Sequence, residues 1–333
     1  MPPIYLRFAS VMLPFRFVLF WVSLVWFGLP ALYAEPLRVV NYNVENFFHP
    51  AHDSVAGEPT ADEEWTQEGE RHWTFTRYKR KTENIARVLT VMGEWDGVDV
   101  VGLQEVENAA CLKRLCYTLR RNEYDFVHYE SPDRRGIDVA FIYKKARIDT
   151  IRTRAISVAL QSAKNGRYET TRDILYVSAR VDKRDTVHFF VCHLPSQRGG
   201  SAETQWKREI AKKTLQQVVD SVFALHPEAK IVVMGDMNSA PKDDLTGLTN
   251  RMIGLQSERA KGTHKWQGQW TCLDQFYTSP AMDSSSVVRI FDAEWIMEQD
   301  DKYMGLKPKR TFNGYRYQDG FSDHLPILLE CRR

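Results

Sequence analysis

The chain has 333 residues, 43% of them hydrophobic, with 45 Lys and Arg against 43 Asp and Glu. A formal charge of +2 excludes a protein that grips polyanions with its whole surface, since such binders carry a strong basic excess. Any polyanion site must therefore be a local patch or a bound metal.

Arg7 and Arg16 precede the apolar run from Phe17 to Leu29, and Ala34 offers a cleavage point before Glu35. This is the pattern of a secretory signal peptide over residues 1–34. Leu32, three residues before the cut, is bulkier than usual there. The alternative, an uncleaved anchor, needs about 20 apolar residues to span a bilayer. No Cys lies near the cut, so a lipidated mature N-terminus is not expected. The mature chain, residues 35–333, carries 43 basic and 43 acidic residues and reads as a single domain. The expectation is a monomer, secreted or periplasmic, with no stable membrane association once cleaved.

Strand-like apolar runs are expected at 37–43, 98–104, 124–129, 137–143, 173–181, 186–193, 231–234, 271–278 and 325–331. Helical spacing appears at 82–92 and 202–225. The runs at 173–181 and 186–193 are too close for a crossover helix, so antiparallel pairs must be present. Two packed sheets flanked by helices are the economical architecture.

Several segments stand apart from this pattern. Seven acidic residues between His49 and Trp73 face one Arg71, which reads as a solvated loop, the alternative being a second metal site. "RYKRK" (Arg77 to Lys81) reads either as a wet helical face or as a phosphate contact. Cys111 and Cys116 lie five residues apart in an apparent helix, roughly 140° around its axis, which is poor disulfide geometry. Cys192, Cys272 and Cys331 read as buried free thiols.

The apolar strands share one feature: they end or begin in polar residues. "VVNYNVENFF" ends in Asn43, Glu45 and Asn46, "VDVVGLQEVEN" in Gln104 and Glu105, and "HFFVCHLPSQ" in His193. "MGDMNSAP" gives Asp236 and Asn238, "WTCLDQFYTS" gives Asp274, and "GFSDHLPILLE" opens with Asp323 and His324. In an extended chain, Asp236 and Asn238 would project to one side. Each group alone is also consistent with turn chemistry. Together they form an oxygen-rich set suited to Mg²⁺, Mn²⁺ or Ca²⁺ rather than zinc, with two His that titrate near neutrality.

"LQEVEN", "GDMN" and "SDHLP", in this order, resemble the endonuclease/exonuclease/phosphatase superfamily across about residues 37–331. "NYNVENFF" and "RTFNGYRYQDGFSDHLP" look most like its extracellular nucleases, and the family also includes pancreatic-type deoxyribonucleases. The resemblance implies an α/β fold, a four-layer α-β-β-α sandwich of two packed mixed β-sheets, with the site at one sheet edge. It implies Glu105 as principal metal ligand, Asn43 beside it, and Asp323 close enough to bind a metal directly or through water. Asp236 and Asn238 would position the nucleophile, with Asn238 also bonding the phosphate. His324 would be general base or phosphate contact, oriented by Asp274. His193 matches a position where nucleases and sphingomyelinases of this family place a catalytic His.

Weaker candidates surround this set. Arg134 and Arg135 suit a bidentate phosphate clamp or a solvated turn. Glu45 corresponds to an acidic position near the metal in some relatives. Trp266 and Trp270 read as base-stacking or as edge packing, with packing favoured. The expected function is a Mg²⁺-dependent phosphodiesterase, a nuclease with DNA as substrate. The alternative is a phosphatase or phospholipase C-like hydrolase of inositol phosphates or sphingomyelin-type lipids.

Overall fold

Val39 and Val40 point to opposite sides of one strand, and each side is buried against a different layer. The same holds for Val232 and Val233 in a second sheet. Strands covered on both faces read as continuous apolar runs, as these do.

The computed structural model describes residues 35–51, 62–120, 122–162, 166–255, 257, 259–282 and 286–331. The expected signal peptide lies outside them, as do residues 52–61 of the acidic segment. From Pro36 onward the described residues form one compact unit.

The first sheet contains β1 (Leu37–Phe47), β2 (Val100–Val106), β3 (Tyr124–His128) and β4 (Asp138–Lys144). The second contains β5 (Ile148–Ile156), β6 (Ile174–Val181), β7 (Asp185–His193), β8 (Lys230–Asp236) and β9 (Thr249–Asn250). A hairpin of β10 (His264–Trp266) and β11 (Gln269–Thr271) precedes β12 (Asp274–Thr278), which joins the second sheet. Finally β13 (Val287–Ile290) and β14 (Ile327–Cys331) complete the first. The orders are β13-β14-β1-β2-β4-β3 and β9-β12-β8-β7-β6-β5. In each sheet one central pair is parallel, β1 with β2 and β8 with β7, and the other pairs are antiparallel.

Helices α1 (Phe75–Gly93) and α2 (Ala109–Arg120) cover the first sheet, burying Ile85, Val88 and Leu89 with Leu112 and Leu115. Helix α3 (Ser201–Leu225) covers the second through Ala211, Leu215 and Val219. The expected four-layer α-β-β-α sandwich is the fold observed. The sheets approach closely where β2 has no side chain: a Cβ on Gly102 would lie 2.8 Å from Met234 Sδ.

Departures from expectation have local causes. Helix α1 starts at Phe75 rather than Thr82 because Thr74 caps it, its Oγ1 accepting from Arg77 N–H at 3.3 Å. Lys81 is neither a wet residue nor a phosphate contact, being 1% exposed with Nζ donating to Thr311 Oγ1 (2.5 Å) and Phe321 O (2.6 Å). The run at 271–278 breaks at Cys272, leaving Thr271 in the hairpin and Asp274 opening β12. Strand β5 gives no strand signal in the sequence because it is an edge strand with an exposed, polar stretch between its buried ends. None of the five cysteines forms a disulfide among the described residues. Among the described residues no helix is long and apolar enough to cross a membrane.

Candidate active site

The parallel pairs place the polar strand ends at one edge. In the second sheet Asp236 stands in register between His193 on β7 and Asp274 on β12. Inside β8, Gly235 is required by the close approach of β7, since an added Cβ would lie 2.1 Å from the Cys192 carbonyl oxygen. In the first sheet Asn43 stands opposite Gln104, and both strands then bulge. Glu45, Asn46 and Glu105 take φ of 52°, 53° and 64°, and Asn238 takes 47°. Such conformations cost about 1–3 kcal/mol each and concentrate at functional sites, where bulges re-aim side chains.

The hydrogen bonds join the two sheets. Asn43 Nδ2 donates to Asp236 Oδ2 (3.1 Å), while Asn43 Oδ1 accepts the Glu45 N–H (3.0 Å). Glu105 Oε2 accepts the Asn46 N–H (2.9 Å), and Glu105 Oε1 faces Arg135 Nη2 at 3.2 Å. Arg310 bridges Glu45 Oε1 (3.1 Å) and Asp323 Oδ2 (3.0 Å). His324 Nδ1 lies 2.7 Å from Asp274 Oδ2, leaving Nε2 at 3.8 Å from Asp236 Oδ2 and 4.0 Å from Asp323 Oδ1. His193 Nε2 approaches the same Asp236 oxygen at 3.6 Å.

Asn238 departs from the expected arrangement. Its positive φ turns the chain, so Asp236 and Asn238 do not project as they would from a strand. Its N–H donates to Asp236 Oδ1 (2.9 Å) and its amide to Leu194 O (2.9 Å). The turn chemistry and the site are thus the same feature.

Above these groups lies a cavity of about 990 Å³, lined by Glu45, Glu105, Asn238, His264 and Asp323, with Arg71, Arg134, Arg135, Arg198 and Arg310 around them. Asp236, His193 and His324 are almost fully buried just behind this lining, Asp236 Oδ1 accepting the Asn238 N–H and His324 Nε2 lying 4.0 Å from Asp323 Oδ1. Trp266 also lines it and is 65% exposed, whereas Trp270 packs against the core of the first sheet. Edge packing therefore describes Trp270 but not Trp266.

Burial and charge set the protonation states. Burial pushes the Asp236 carboxyl up to about 6, despite the opposing His324 charge and the Asn238 and Asn43 hydrogen bonds. Burial opposes a charged His324, but Asp274 and then Asp236 outweigh it and hold the imidazole well above its ordinary value. Burial, with Arg172 and Arg135, holds His193 well below. Burial would raise Asp323, yet Arg310 and His324 hold it at about 2. Burial and then Asp323 push Glu45 up to about 7.

Sequence reasoning missed three contributors. Arg310 sits in the quoted "RTFNG" but carried no role. His264 pairs as an isolated bridge with His324, ring to ring at 4.8 Å, and burial pulls it down to about 4. His264, Asp323 and His324 each offer one ligand atom within a 4.8 Å cluster. Arg172 ties the carbonyls of His193 (3.3 Å) and Leu194 (3.0 Å) to Asp133 (2.9 Å). An Arg preceding a strand was its only trace in the sequence.

The fold is shared with solved structures of low sequence identity. D. rerio TDP2 complexed with single strand DNA product is 14% identical, with TM-score 0.53, over 90% of this chain and 100% of that one. The human nocturnin catalytic domain with bound sulfate is 15% identical, with TM-score 0.54, over 90% and 94%. The mannosyl-6-phosphatase of Bacteroides thetaiotaomicron VPI-5482 is 14% identical, with TM-score 0.55, over 89% and 100%. No curated protein matches the chain. Residues 38–333 match the Endonuclease/Exonuclease/phosphatase family, and the chain belongs to it.

Proposed function

We propose that this member of the endonuclease/exonuclease/phosphatase family, a metal-dependent phosphoric ester hydrolase, is an exported nuclease that cleaves DNA phosphodiester bonds. The observation that carries this reading is the cavity: carboxylates on its wall, five arginines and an exposed Trp266 around them. Arg134 and Arg198 have no carboxylate partner among the described residues, so they are available to phosphates on either side of the one being cut. TDP2, one neighbour in fold, was solved with a single-strand DNA product. Export rests on the N-terminal pattern of residues 1–34.

The donors fit a hard divalent cation, Mg²⁺ or Mn²⁺. Glu45, Glu105 and Asp323 supply oxygens on one wall, and the Asn43 amide oxygen keeps a lone pair beside its one hydrogen bond. Glu105, Asn43 and Asp323 would hold the ion, which supplies charge neutralisation on the phosphoryl oxygens.

The chain's own residues do the rest. Asp236, with a carboxyl at about 6, is suited to accept the proton of the attacking water near neutral pH. His324, kept protonated by Asp274, binds and neutralises a phosphoryl oxygen through Nε2–H. This moves the base from His324 to Asp236 and leaves His324 the phosphate contact. His193, uncharged, accepts or donates one further hydrogen bond beside Asp236. Arg135 and Arg310 hold Glu105 and Asp323 in place and reach the substrate's other oxygens.

The test is a panel of plasmid DNA, RNA, sphingomyelin, inositol phosphates and mannose 6-phosphate, each with and without chelator. Metal-dependent cleavage of DNA, at least tenfold faster than of the small esters, is expected. Efficient turnover of a sugar phosphate, inositol phosphate or lipid with intact DNA would replace the nuclease reading by the phosphatase or phospholipase one.

A further inference from the structure

We infer a second divalent-metal site, separate from the catalytic cavity, formed by His128, Glu130 and Asp138. His128 ends β3, the edge strand of the first sheet, and Asp138 opens its neighbour β4. His128 Nε2 lies 3.3 Å from Asp138 Oδ2, and His128 Nδ1 lies 3.8 Å from Glu130 Oε1. One ligand atom from each of the three falls within 4.8 Å of the others.

Two features distinguish this cluster from a surface ion pair. The side chains of His128 and Asp138 are 4% and 3% exposed, and His128 Nε2 is buried with no hydrogen-bond partner. A buried ring nitrogen without a partner is costly unless something fills its lone pair. Asp138 is also oriented from behind, its Oδ1 accepting the Ser131 N–H (3.0 Å) and the Ser131 hydroxyl, so that Oδ2 is directed to His128. Such a second contact is how ligating carboxylates are fixed in metal sites.

One imidazole with two carboxylates suits Zn²⁺ or Mn²⁺ rather than the all-oxygen ions, with water completing the coordination. The site closes the base of the segment from Ser131 to Asp138. That segment carries Asp133, which holds Arg172 (2.9 Å), and Arg135, which faces Glu105 (3.2 Å). An ion here would fix the loop that presents both arginines to the catalytic edge, without itself touching substrate.

The experiment uses the full chain stripped with chelator, titrated with Zn²⁺ by calorimetry and with Co²⁺ by visible absorption. Removing even an outer-shell partner of a metal ligand costs about 10–100-fold in affinity, so His128→Ala should lose at least ~100-fold. Glu130→Ala, at a side chain 70% exposed, should weaken Zn²⁺ and remain folded if His128→Ala does not. Glu105→Gln should leave this site intact, which separates it from the catalytic metal. Identical Zn²⁺ stoichiometry and Co²⁺ spectra for wild type, His128→Ala and Glu130→Ala would overturn the inference. The cluster would then be a side-chain contact of His128 with Asp138 and no metal site.

Discussion

Replacing Asp274 by Asn keeps the size of the side chain and removes its charge from His324. The bond it removes is short, 2.7 Å from His324 Nδ1 to Asp274 Oδ2, and buried, with Asp274 itself fully enclosed. A hydrogen bond to a charged partner contributes about 1.5–3 kcal/mol. If all of it is expressed in the transition state, turnover falls by about 10- to 150-fold, at 1.36 kcal/mol per factor of ten. The His324 titration should also move down, because Asp274 is the leading charge that holds it up. His324→Ala removes the phosphate contact as well and should lose about 10²–10⁴-fold. Groups acting as one unit are strongly non-additive, so the double variant should be little worse than His324→Ala alone. His193→Ala acts from the other side of Asp236 and should multiply with either. The assay is single-turnover cleavage of a DNA duplex, with folding checked by circular dichroism and the His324 ring followed by NMR. Multiplying losses for Asp274 and His324, or an unmoved His324 titration in Asp274→Asn, would refute the pairing as a functional one.

Four further outcomes are expected. Chelator should abolish activity and Mg²⁺ or Mn²⁺ restore it, with Glu105→Gln needing more metal for half-activation; full activity of that variant in low Mg²⁺ would exclude Glu105 as ligand. The rate should climb through about pH 6, since Asp236 accepts a proton only once ionised and its carboxyl lies at about 6; a flat profile from pH 5 to 7 would remove it as base. Trp266→Ala should weaken oligonucleotide binding by about 1–3 kcal/mol, the range for one stacked base, while sparing a small diester such as bis(4-nitrophenyl) phosphate. Gly235→Ala should cost at least about 1–3 kcal/mol in urea unfolding, because its Cβ meets the backbone carbonyl of Cys192 rather than a mobile side chain.

The central strands and the order of polar strand ends were legible because buried strands are apolar on both faces and therefore stand out. Asn43, Glu105, His193, Asp236, Asp274, Asp323 and His324 all arrive at one edge for that reason. Less visible were residues whose place depends on a distant partner. Lys81 looks like its solvated neighbours in "RYKRK", and only packing against Thr311 and Phe321 buries it. Arg310 acquires meaning from Glu45, 265 residues away in sequence. Strand β5 has the polar pattern of an exposed edge, which local periodicity does not separate from a loop. Strand geometry would put Asn238 on the same side as Asp236, whereas its φ of 47° makes a turn.

The two sheets divide the chemistry between them. The first sheet and the segment leading into β14 supply the proposed metal ligands Glu105 and Asp323, each countered by an arginine; the second supplies His193, Asp236 and Asp274, in register across three strands. Neither set is complete alone. The bond from Asn43 to Asp236 spans 193 residues and crosses from one sheet to the other, and His324 from the first sheet's approach reaches Asp274 in the second. The relative position of the sheets is thus a catalytic coordinate as well as a packing one. It is set where Gly102 allows Met234 to come close, in a core of Val, Phe and Leu that resists sliding. Strained backbone at Glu45, Asn46, Glu105 and Asn238 is tolerated at the edge because this core fixes both sheets behind it.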